Sequence, residues 1–362
     1  MYSLFFELLR VSIGTQSRLS RLPQTREWKK LYELAERQAL LGVCFVGLQN
    51  LGADAHGGYE HIGIPKDVYF QWLGMAVQIQ QRNEILNQQC VELQKRLSVD
   101  GFSSSILKGQ GVALAYPECI RQLRQSGDID IWVGGLLNDN IKKFRDVGIA
   151  LTNINIKHAE ARIFDGTTVE IHFTPSWFYN PIIDRRFQEW IKEQAPIQMQ
   201  NKQGSLIIPN HEFNAVYLLL HIYRHLLDEG VGMRQLIDYY FTLKACYQVA
   251  DRYAIVKQFE MFSMMRIASS VMWILQEILG LDTKYLLCEP NSKEGAMLLN
   301  EIMEGGNFGH FDKRINHVTK NTLGRGWQNL RKNQRYLFLY PSEVIWAPLW
   351  KVWHWCWRFK VN

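Results

Sequence analysis

One short run of strictly alternating residues constrains the fold of this chain more than any other feature. The segment Asp128-Ile-Asp-Ile-Trp-Val133 has an aliphatic residue at every second position. Because successive side chains of a β-strand point to opposite faces, this period predicts a strand with Asp128 and Asp130 on one face. Two such aspartates lie about 6.6 Å apart along the backbone, so their carboxylates can converge on shared cations.

The residues before this strand predict a strand, a glycine turn and a helix in succession. Residues 104–107 form a short run that leads to Lys108 and Gly109, and residues 111–116 fit a short apolar helix that ends at Pro117. The free backbone N–H groups at the start of such a helix can bind phosphate. The segment therefore predicts a phosphate-binding turn next to the aspartate pair.

A third acidic residue follows on a separate predicted strand. Residues 161–164 and 167–173 are strand-like and are separated only by Asp165-Gly166, a pair that tolerates the positive φ of a tight hairpin turn. In the second run, Glu170 and His172 share one face, and the opposite face is apolar. The sequence thus predicts a hairpin that presents Glu170 on its polar side.

Three converging carboxylates suit divalent cations and phosphoryl chemistry. Without a counter-charge they would repel one another and raise a pKa, and Mg²⁺ prefers oxygen ligands. Two metal ions roughly 4 Å apart can stabilise the attacking and leaving oxygens of an in-line displacement. Asp-x-Asp alone is weak evidence, since exposed edge strands often carry alternate acids. The preceding turn and the third acid favour a functional site.

Four segments in order along the chain resemble the uncharacterised bacterial nucleotidyltransferase family of the DNA polymerase β-like superfamily. They are Ile106-Leu-Lys-Gly109, Tyr116-Pro117, Arg124-Gln-Ser-Gly-Asp-Ile-Asp-Ile131 and Val169-Glu-Ile-His172. Looser similarity extends to residues 28–41, His221-x-x-x-His225 and Arg234-Gln-x-x-Asp238. The resemblance therefore spans most of the chain.

The resemblance implies a reaction and a set of metal ligands. Asp128 and Asp130 would bind two Mg²⁺ ions, with Mn²⁺ as an alternative, and Glu170 would hold the ion that activates an acceptor hydroxyl. The enzyme would transfer a nucleoside monophosphate from a triphosphate such as ATP and release pyrophosphate. A protein side chain, a small molecule, a sugar phosphate and an RNA end all stay open as acceptors.

The resemblance also implies that Lys108, Gly109 and Arg124 face the triphosphate. Further substrate-binding candidates are Gln110, Gly127 and His172. Gln110 stands where the wider superfamily has serine, so Lys108 or Arg124 would have to supply that phosphate contact, and arginine can do so with two parallel hydrogen bonds.

Each of these assignments has a structural alternative. Lys108 also fits a solvated strand end, and Arg124 a surface ion pair. His172 also fits a purely structural imidazole. His221 and His225 lie one helical turn apart, which suits either a metal site or an interior pair.

The predicted fold class is α+β, with a small mixed sheet of the polymerase β type between helical segments. Helical periodicity in residues 26–51, 67–99, 211–227 and 233–247 supports the flanking helices. We predict four parts: an N-terminal helical region at 1–100, the nucleotidyltransferase core at 101–208, a C-terminal helical domain at 209–312, and a basic, Trp-rich tail at 313–362.

Composition predicts a cytoplasmic protein. The six cysteines are widely separated and lack zinc-finger spacing, as expected for reduced thiols. The first fourteen residues are interrupted by Glu7 and Arg10 and lack the features of a signal peptide. No apolar run reaches the roughly 18–20 residues that a membrane-spanning helix needs.

The tail carries the positive charge of the chain. From Lys313 onward there are ten Lys or Arg residues and the single acid Glu343, a net charge of +9, whereas the whole chain has +6. A tryptophan stripe follows at helical spacing, formed by Trp346, Trp350, Trp353 and Trp357. Three alternatives stay open: a helix docked on the protein's own core, peripheral contact with the inner membrane face, and a nucleic-acid surface.

Two other functions compete with nucleotidyl transfer. A glycosyltransferase also uses Asp-x-Asp to hold a divalent ion, but it needs about a hundred residues of alternating strand and helix before the motif, and residues 1–100 predict helices. A catalytically silent nucleotide-binding or adaptor protein would keep the fold without the reaction, and the presence of all three acids argues against it.

Overall fold

The computed structural model describes residues 1–52, 58–312 and 334–361. The first part is helical, and its elements are α1 (Tyr2–Ile13), α2 (Thr25–Arg37), α3 (Leu41–Asn50), α4 (Gly58–His61) and α5 (Lys66–Val99).

Seven short strands and four helices follow. They are β1 (Ser104–Ile106), α6 (Lys108–Ala113), α7 (Glu118–Arg121), β2 (Ile129–Val133), α8 (Leu137–Asp146), β3 (Leu151–Thr152), β4 (His158–Phe164), β5 (Thr167–His172), α9 (Pro181–Gln198), β6 (Lys202–Gln203) and β7 (Leu206–Ile207).

The remaining described part is helical. It comprises α10 (His211–Asp228), α11 (Met233–Cys246), α12 (Arg252–Met261), α13 (Met265–Trp273), a π-helical turn (Ile274–Ile278), α14 (Ser292–Gly305) and α15 (Pro341–Val361). Within the described residues, no helix is long and apolar enough to cross a membrane.

A five-stranded mixed sheet forms the centre of the middle region. Its strand order is β1-β2-β5-β4-β3. Strands β2 and β5 run parallel, and the other neighbouring pairs are antiparallel. The α+β fold class predicted from the sequence is therefore confirmed, and the predicted Asp165-Gly166 turn joins β4 to β5, where Phe164 pairs with Thr167.

The two faces of this sheet have different neighbours. Ile131 and Ile171 are fully buried in one apolar cluster with Leu93 of α5 and Phe144 of α8. On the opposite face, the Trp132 ring stacks on Phe213 of α10 at a centroid distance of 5.6 Å. Alternation along β2 places Asp130 on the same face as Trp132. The acidic face therefore lies toward α10.

Two helical details differ from the sequence prediction. The prediction of a single helix over residues 26–51 is wrong. Two helices, α2 and α3, are separated by a short turn that contains Ala39, whose φ is 54°. Helix α9 was not predicted. Its start is fixed by Asn180, whose side chain accepts hydrogen bonds from the N–H groups of Ile182 and Ile183, and by Pro181 in the first turn.

Candidate active site

Parallel pairing of β2 and β5 brings two acids side by side. Asp130 and Glu170 are directly opposite each other in the register of the two strands. Side chains at paired positions of neighbouring strands point to the same face and lie about 5 Å apart. The chain thus folds two carboxylates forty residues apart in sequence into one acidic pair.

His172 completes a compact cluster with these acids. Its Nε2 lies 2.7 Å from Asp130 Oδ1 and 3.4 Å from Glu170 Oε2. One ligand atom from each of the three residues lies within 4.8 Å of the others, so the group can hold a metal ion. Oxygen, oxygen and imidazole nitrogen form a donor set that divalent ions accept, although Mg²⁺ favours oxygen over nitrogen.

Lys108 neutralises the same carboxylate. Its Nζ lies 2.7 Å from Asp130 Oδ1, and both side chains are largely buried. Lys108 has a φ of 34° and Gly109 a φ of 39°, in the left-handed region that a non-glycine residue occupies at a cost of about 1–2 kcal/mol. This turn directs the amino group back onto the strand that carries the acids.

The cluster holds charged groups of both signs within hydrogen-bonding distance of one another. Burial alone would raise the pKa of Asp130, but Lys108 and His172 hold it well below its usual range. Burial alone would lower the pKa of His172, yet its contacts with Asp130 and Glu170 raise it. The hydrogen bond from His172 lowers the pKa of Glu170. Both acids are therefore ionised and ready to bind a cation.

Asp128 lies just before β2 and lines the same cleft. It is exposed, whereas Asp130 is buried. The negative charge of Asp130 raises the pKa of Asp128, and partial desolvation of its carboxyl group by the cleft walls adds to this effect. Asp128 does not belong to the compact group of Asp130, Glu170 and His172.

The cleft around these acids has a volume of about 840 Å³. Its walls come from the turn after β1, the ends of β2 and β5, helices α10 and α11, and the segment after α14. Of the residues proposed from the sequence, Lys108, Gly109, Arg124, Gly127, Asp128, Asp130, Glu170 and His172 all line it.

Gln110 is the proposed site residue that does not line the cleft. It is buried, and its side-chain nitrogen donates to Asn87 Oδ1 of α5 at 2.6 Å. Gln110 therefore anchors the turn to α5.

Arg124 lines the cleft but is already paired. It forms a buried two-point ion pair with Asp238 of α11, at 2.6 Å from Nε to Oδ1 and 2.7 Å from Nη2 to Oδ2. Tyr116 donates a third hydrogen bond to the same carboxylate at 2.6 Å, and Arg124 also donates to Ser126 Oγ at 2.7 Å. The pair fixes the loop that leads into Asp128.

Arg234 is the cleft arginine without a carboxylate partner among the described residues. Its Nη1 donates to the carbonyl oxygen of Gln125 at 2.9 Å, and its Nε is buried with no partner. Burial lowers the pKa of Arg234, and the nearby charge of Arg124 adds to this. A desolvated guanidinium with spare donors next to the loop of Asp128 is suited to an anionic ligand.

The histidine pair of α10 also reaches the cleft. The rings of His221 and His225 contact each other edge to face at 4.2 Å. Burial, with a contribution from His225, holds the pKa of His221 well below its usual value. His225 Nδ1 lies 3.4 Å from Glu229 Oε2. The pair therefore forms a wall of the cleft.

Several cleft residues were not predicted from the sequence. The glycine-rich segment 305–309 packs so tightly on the loop after α10 that a Cβ on Gly309 would lie 2.1 Å from the carbonyl oxygen of Glu229. This contact places Phe308 and His310 in the cleft lining. Trp177, Arg224 and Asp228 also line it. These residues form no recognisable sequence motif, because only tertiary packing brings them together.

The fold and the site together define a class of protein. Its mixed sheet presents the acids Asp130 and Glu170 in a cleft that Asp128 and the guanidinium group of Arg234 also line. A family model of uncharacterised nucleotidyltransferases matches residues 24–280, which is more than half of the chain. The chain therefore belongs to this nucleotidyltransferase family. No curated protein and no solved structure matches it.

Proposed function

We propose that this protein is a metal-dependent nucleotidyltransferase with a polymerase β-like core at residues 101–208. It transfers a nucleoside monophosphate from a nucleoside triphosphate, such as ATP, to an acceptor hydroxyl. The main support is the side-by-side placement of Asp130 and Glu170 on parallel strands in an open cleft. The four-part division of the chain, the bacterial origin and the cytoplasmic location belong to the same proposal.

Asp128, Asp130 and Glu170 are the proposed metal ligands. Two Mg²⁺ ions, or Mn²⁺ in their place, would supply positive charge to the attacking and leaving oxygens of the displacement. His172 contacts both Asp130 and Glu170 and orients them. Because His172 offers a nitrogen donor within the same group, Mn²⁺ fits this site at least as well as Mg²⁺.

Lys108 and Arg234 are the proposed triphosphate contacts. Gly109 has a non-helical backbone conformation within α6, with φ 39° and ψ −116°, and it has no side chain, so its backbone can approach phosphate closely. Arg234, which has no carboxylate partner among the described residues, takes the phosphate-binding role that the sequence predicted for Arg124. Arg124 itself acts through its ion pair with Asp238 by holding the loop of Gly127 and Asp128 in place.

The reaction then follows in one displacement. The acceptor oxygen forms a bond to the α-phosphorus, and the bond from that phosphorus to the oxygen bridging the α- and β-phosphates breaks. Pyrophosphate leaves, and the proton of the acceptor hydroxyl passes to a nearby carboxylate or to water. The cleft extends past the acids to Trp177 and the histidine pair of α10, and this part is the proposed acceptor site.

The competing functions are less well supported. Within the described residues before β1, all regular elements are helices, so the nucleotide-binding unit of a glycosyltransferase is not found there. A silent nucleotide-binding protein would satisfy the same fold. The experiment below distinguishes it, because a silent protein binds nucleotide without transferring it.

The test uses purified protein, Mg²⁺ or Mn²⁺, and nucleoside triphosphates labelled on the α-phosphate, incubated with a lysate of the source cells. Transfer of label together with pyrophosphate release is expected for the wild type, and Asp130→Asn and Glu170→Gln should abolish both. Asp165→Asn, an exposed aspartate in the turn between β4 and β5, is the matched control and should keep full activity. Unchanged labelling in Asp130→Asn rejects the proposal.

A further inference from the structure

Helix α15 has an unusual distribution of polarity. The side that packs on the protein includes Glu343, Lys351 and His354, whereas the opposite side is apolar. The exposed side chains of this apolar face, with their exposed fractions, are Ile345 (58%), Trp346 (37%), Leu349 (60%), Val352 (64%) and Trp353 (52%). These positions recur at three- and four-residue spacing and form one continuous stripe along the helix.

The inward side is fixed by specific polar contacts. Glu343 is 1% exposed and accepts hydrogen bonds from the backbone N–H of Tyr179 at 2.7 Å and of Asn180 at 3.1 Å. Arg224 Nη1 lies 3.4 Å from the same carboxylate. Lys351 Nζ lies 3.5 Å from Asp228 Oδ1. The helix therefore cannot rotate its apolar stripe inward without leaving buried charges unpaired.

Aromatic contacts hold the middle of the helix in the same orientation. Trp350 stacks on Trp177 at a centroid distance of 6.2 Å and contacts Tyr179 edge to face at 5.4 Å. The Lys157 ammonium group lies 4.0 Å from the centre of the Trp350 ring. The tryptophan stripe of the sequence is thus divided: Trp350 packs on the protein, and Trp346 and Trp353 lie on the outward side.

From this orientation we infer that the outward face of α15 binds the interface of a bilayer that contains anionic lipids. An apolar stripe of this length is costly to leave in water, and indole rings prefer the bilayer interface. The last fifty residues carry ten basic residues and one acid, and that acid, Glu343, is buried. Basic residues near a membrane-binding helix strengthen its attraction to anionic lipid.

A second copy of the chain fits this face less well. Each copy has a net charge of +9 in its last fifty residues, and like charges on two copies oppose their association. The bilayer has the opposite charge. Because Trp177, Arg224 and Asp228 lie under α15 and line the cleft, membrane binding would hold the cleft within about 10 Å, one helix diameter, of the lipid surface.

The test is flotation of the full-length protein with vesicles of phosphatidylcholine alone and of phosphatidylcholine with phosphatidylglycerol. We expect the wild type to float with the anionic vesicles, and the double variant Leu349→Glu/Val352→Glu to show at least about tenfold lower recovery. The matched control is Leu136→Glu/Val99→Glu, at positions 70% and 80% exposed elsewhere on the surface, and it should float as the wild type does. Thermal unfolding establishes that both double variants are folded.

Several results would overturn the inference. The first is failure of the wild type to float with anionic vesicles, and the second is equal flotation of the Leu349→Glu/Val352→Glu variant. Equal recovery on both vesicle types would reject the role of anionic lipid. A wild-type dimer in light scattering that this variant dissociates, without vesicle binding, would assign the face to a second copy. Flotation needs no nucleotide, so it is independent of the proposed enzymatic activity.

Discussion

The ammonium group of Lys108 and the carboxylate of Asp130 lie 2.7 Å apart in the centre of the acidic cluster. Lys108 thus supplies there the positive charge that metal ions would supply during the proposed reaction. Burial alone would lower the pKa of Lys108, but the charge of Asp130 reverses this and raises the pKa above its usual value. A metal ion that binds Asp130 must therefore compete with a fully charged lysine.

Replacing Lys108 by methionine should change metal and nucleotide binding in opposite directions. Without the competing ammonium group, Mn²⁺ alone should bind about tenfold more tightly, since the loss of one nearby like charge is worth about 1–2 kcal/mol in a partly buried site. Triphosphate binding should weaken, because a phosphate contact is lost. Titration calorimetry with Mn²⁺ and with a non-hydrolysable triphosphate measures both effects.

The control for this variant is Lys95→Met, at an exposed lysine of α5 that does not line the cleft. It should leave both affinities unchanged. Weaker binding of Mn²⁺ to Lys108→Met than to the wild type would contradict the view that lysine and metal compete for Asp130.

The ion pair of Arg124 and Asp238 should matter chiefly for stability. Asp238→Asn removes the partner of a buried guanidinium, which typically costs about 3–5 kcal/mol. Denaturant unfolding followed by circular dichroism measures this loss. A drop below about 1 kcal/mol, together with a selective loss of nucleotide binding, would show instead that Arg124 contacts the substrate.

The sequence predicted those parts of the fold that depend on local pattern. Alternation located β2, the Asp165-Gly166 turn located the hairpin of β4 and β5, and helical periodicity located α5 and α10. Helix α9 was not predicted, and its signals are the Asn180-Pro181 start and the helical spacing of the apolar residues Ile183, Phe187 and Trp190. Both signals are present in the sequence.

The pairing of distant elements could not be predicted in the same way. Arg234 and Asp238 lie one turn apart on α11, but Asp238 binds Arg124, a loop residue more than a hundred positions earlier in the chain. The spacing within a helix carries no information about such a partner. For the same reason, the free cation of the cleft was assigned to Arg124, and the role of Phe308 at the wall was not foreseen.

Arg234→Gln should weaken binding of the triphosphate with little effect on stability. A charge-assisted hydrogen bond contributes about 1.5–3 kcal/mol, so the dissociation constant should rise about 10- to 100-fold. Monophosphate binding should change much less, if the guanidinium contacts the distal phosphates. Calorimetry with the mono-, di- and triphosphate of one nucleoside resolves this, and Arg145→Gln, at an exposed arginine on α8, serves as the control. An equal loss for all three nucleotides would place Arg234 at the base or sugar instead.

The stabilising contribution of the Asp228 carboxylate should be lost in acid. Burial alone would raise the pKa of its carboxyl group, but Arg224 and Lys351 outweigh burial and lower the pKa from 3.8 to about 2. A carboxylate whose pKa is lowered by folding stabilises the native state above the pKa of the unfolded chain, and this contribution is lost as the pH falls from about 4 toward 2. The difference between the two pKa values corresponds to about 2 kcal/mol.

Denaturant unfolding at pH 7 and at pH 3 should therefore show a smaller loss of stability for Asp228→Asn than for the wild type. An identical pH dependence of the two proteins would mean that the ion pair between Asp228 and Arg224 makes no net contribution to folding.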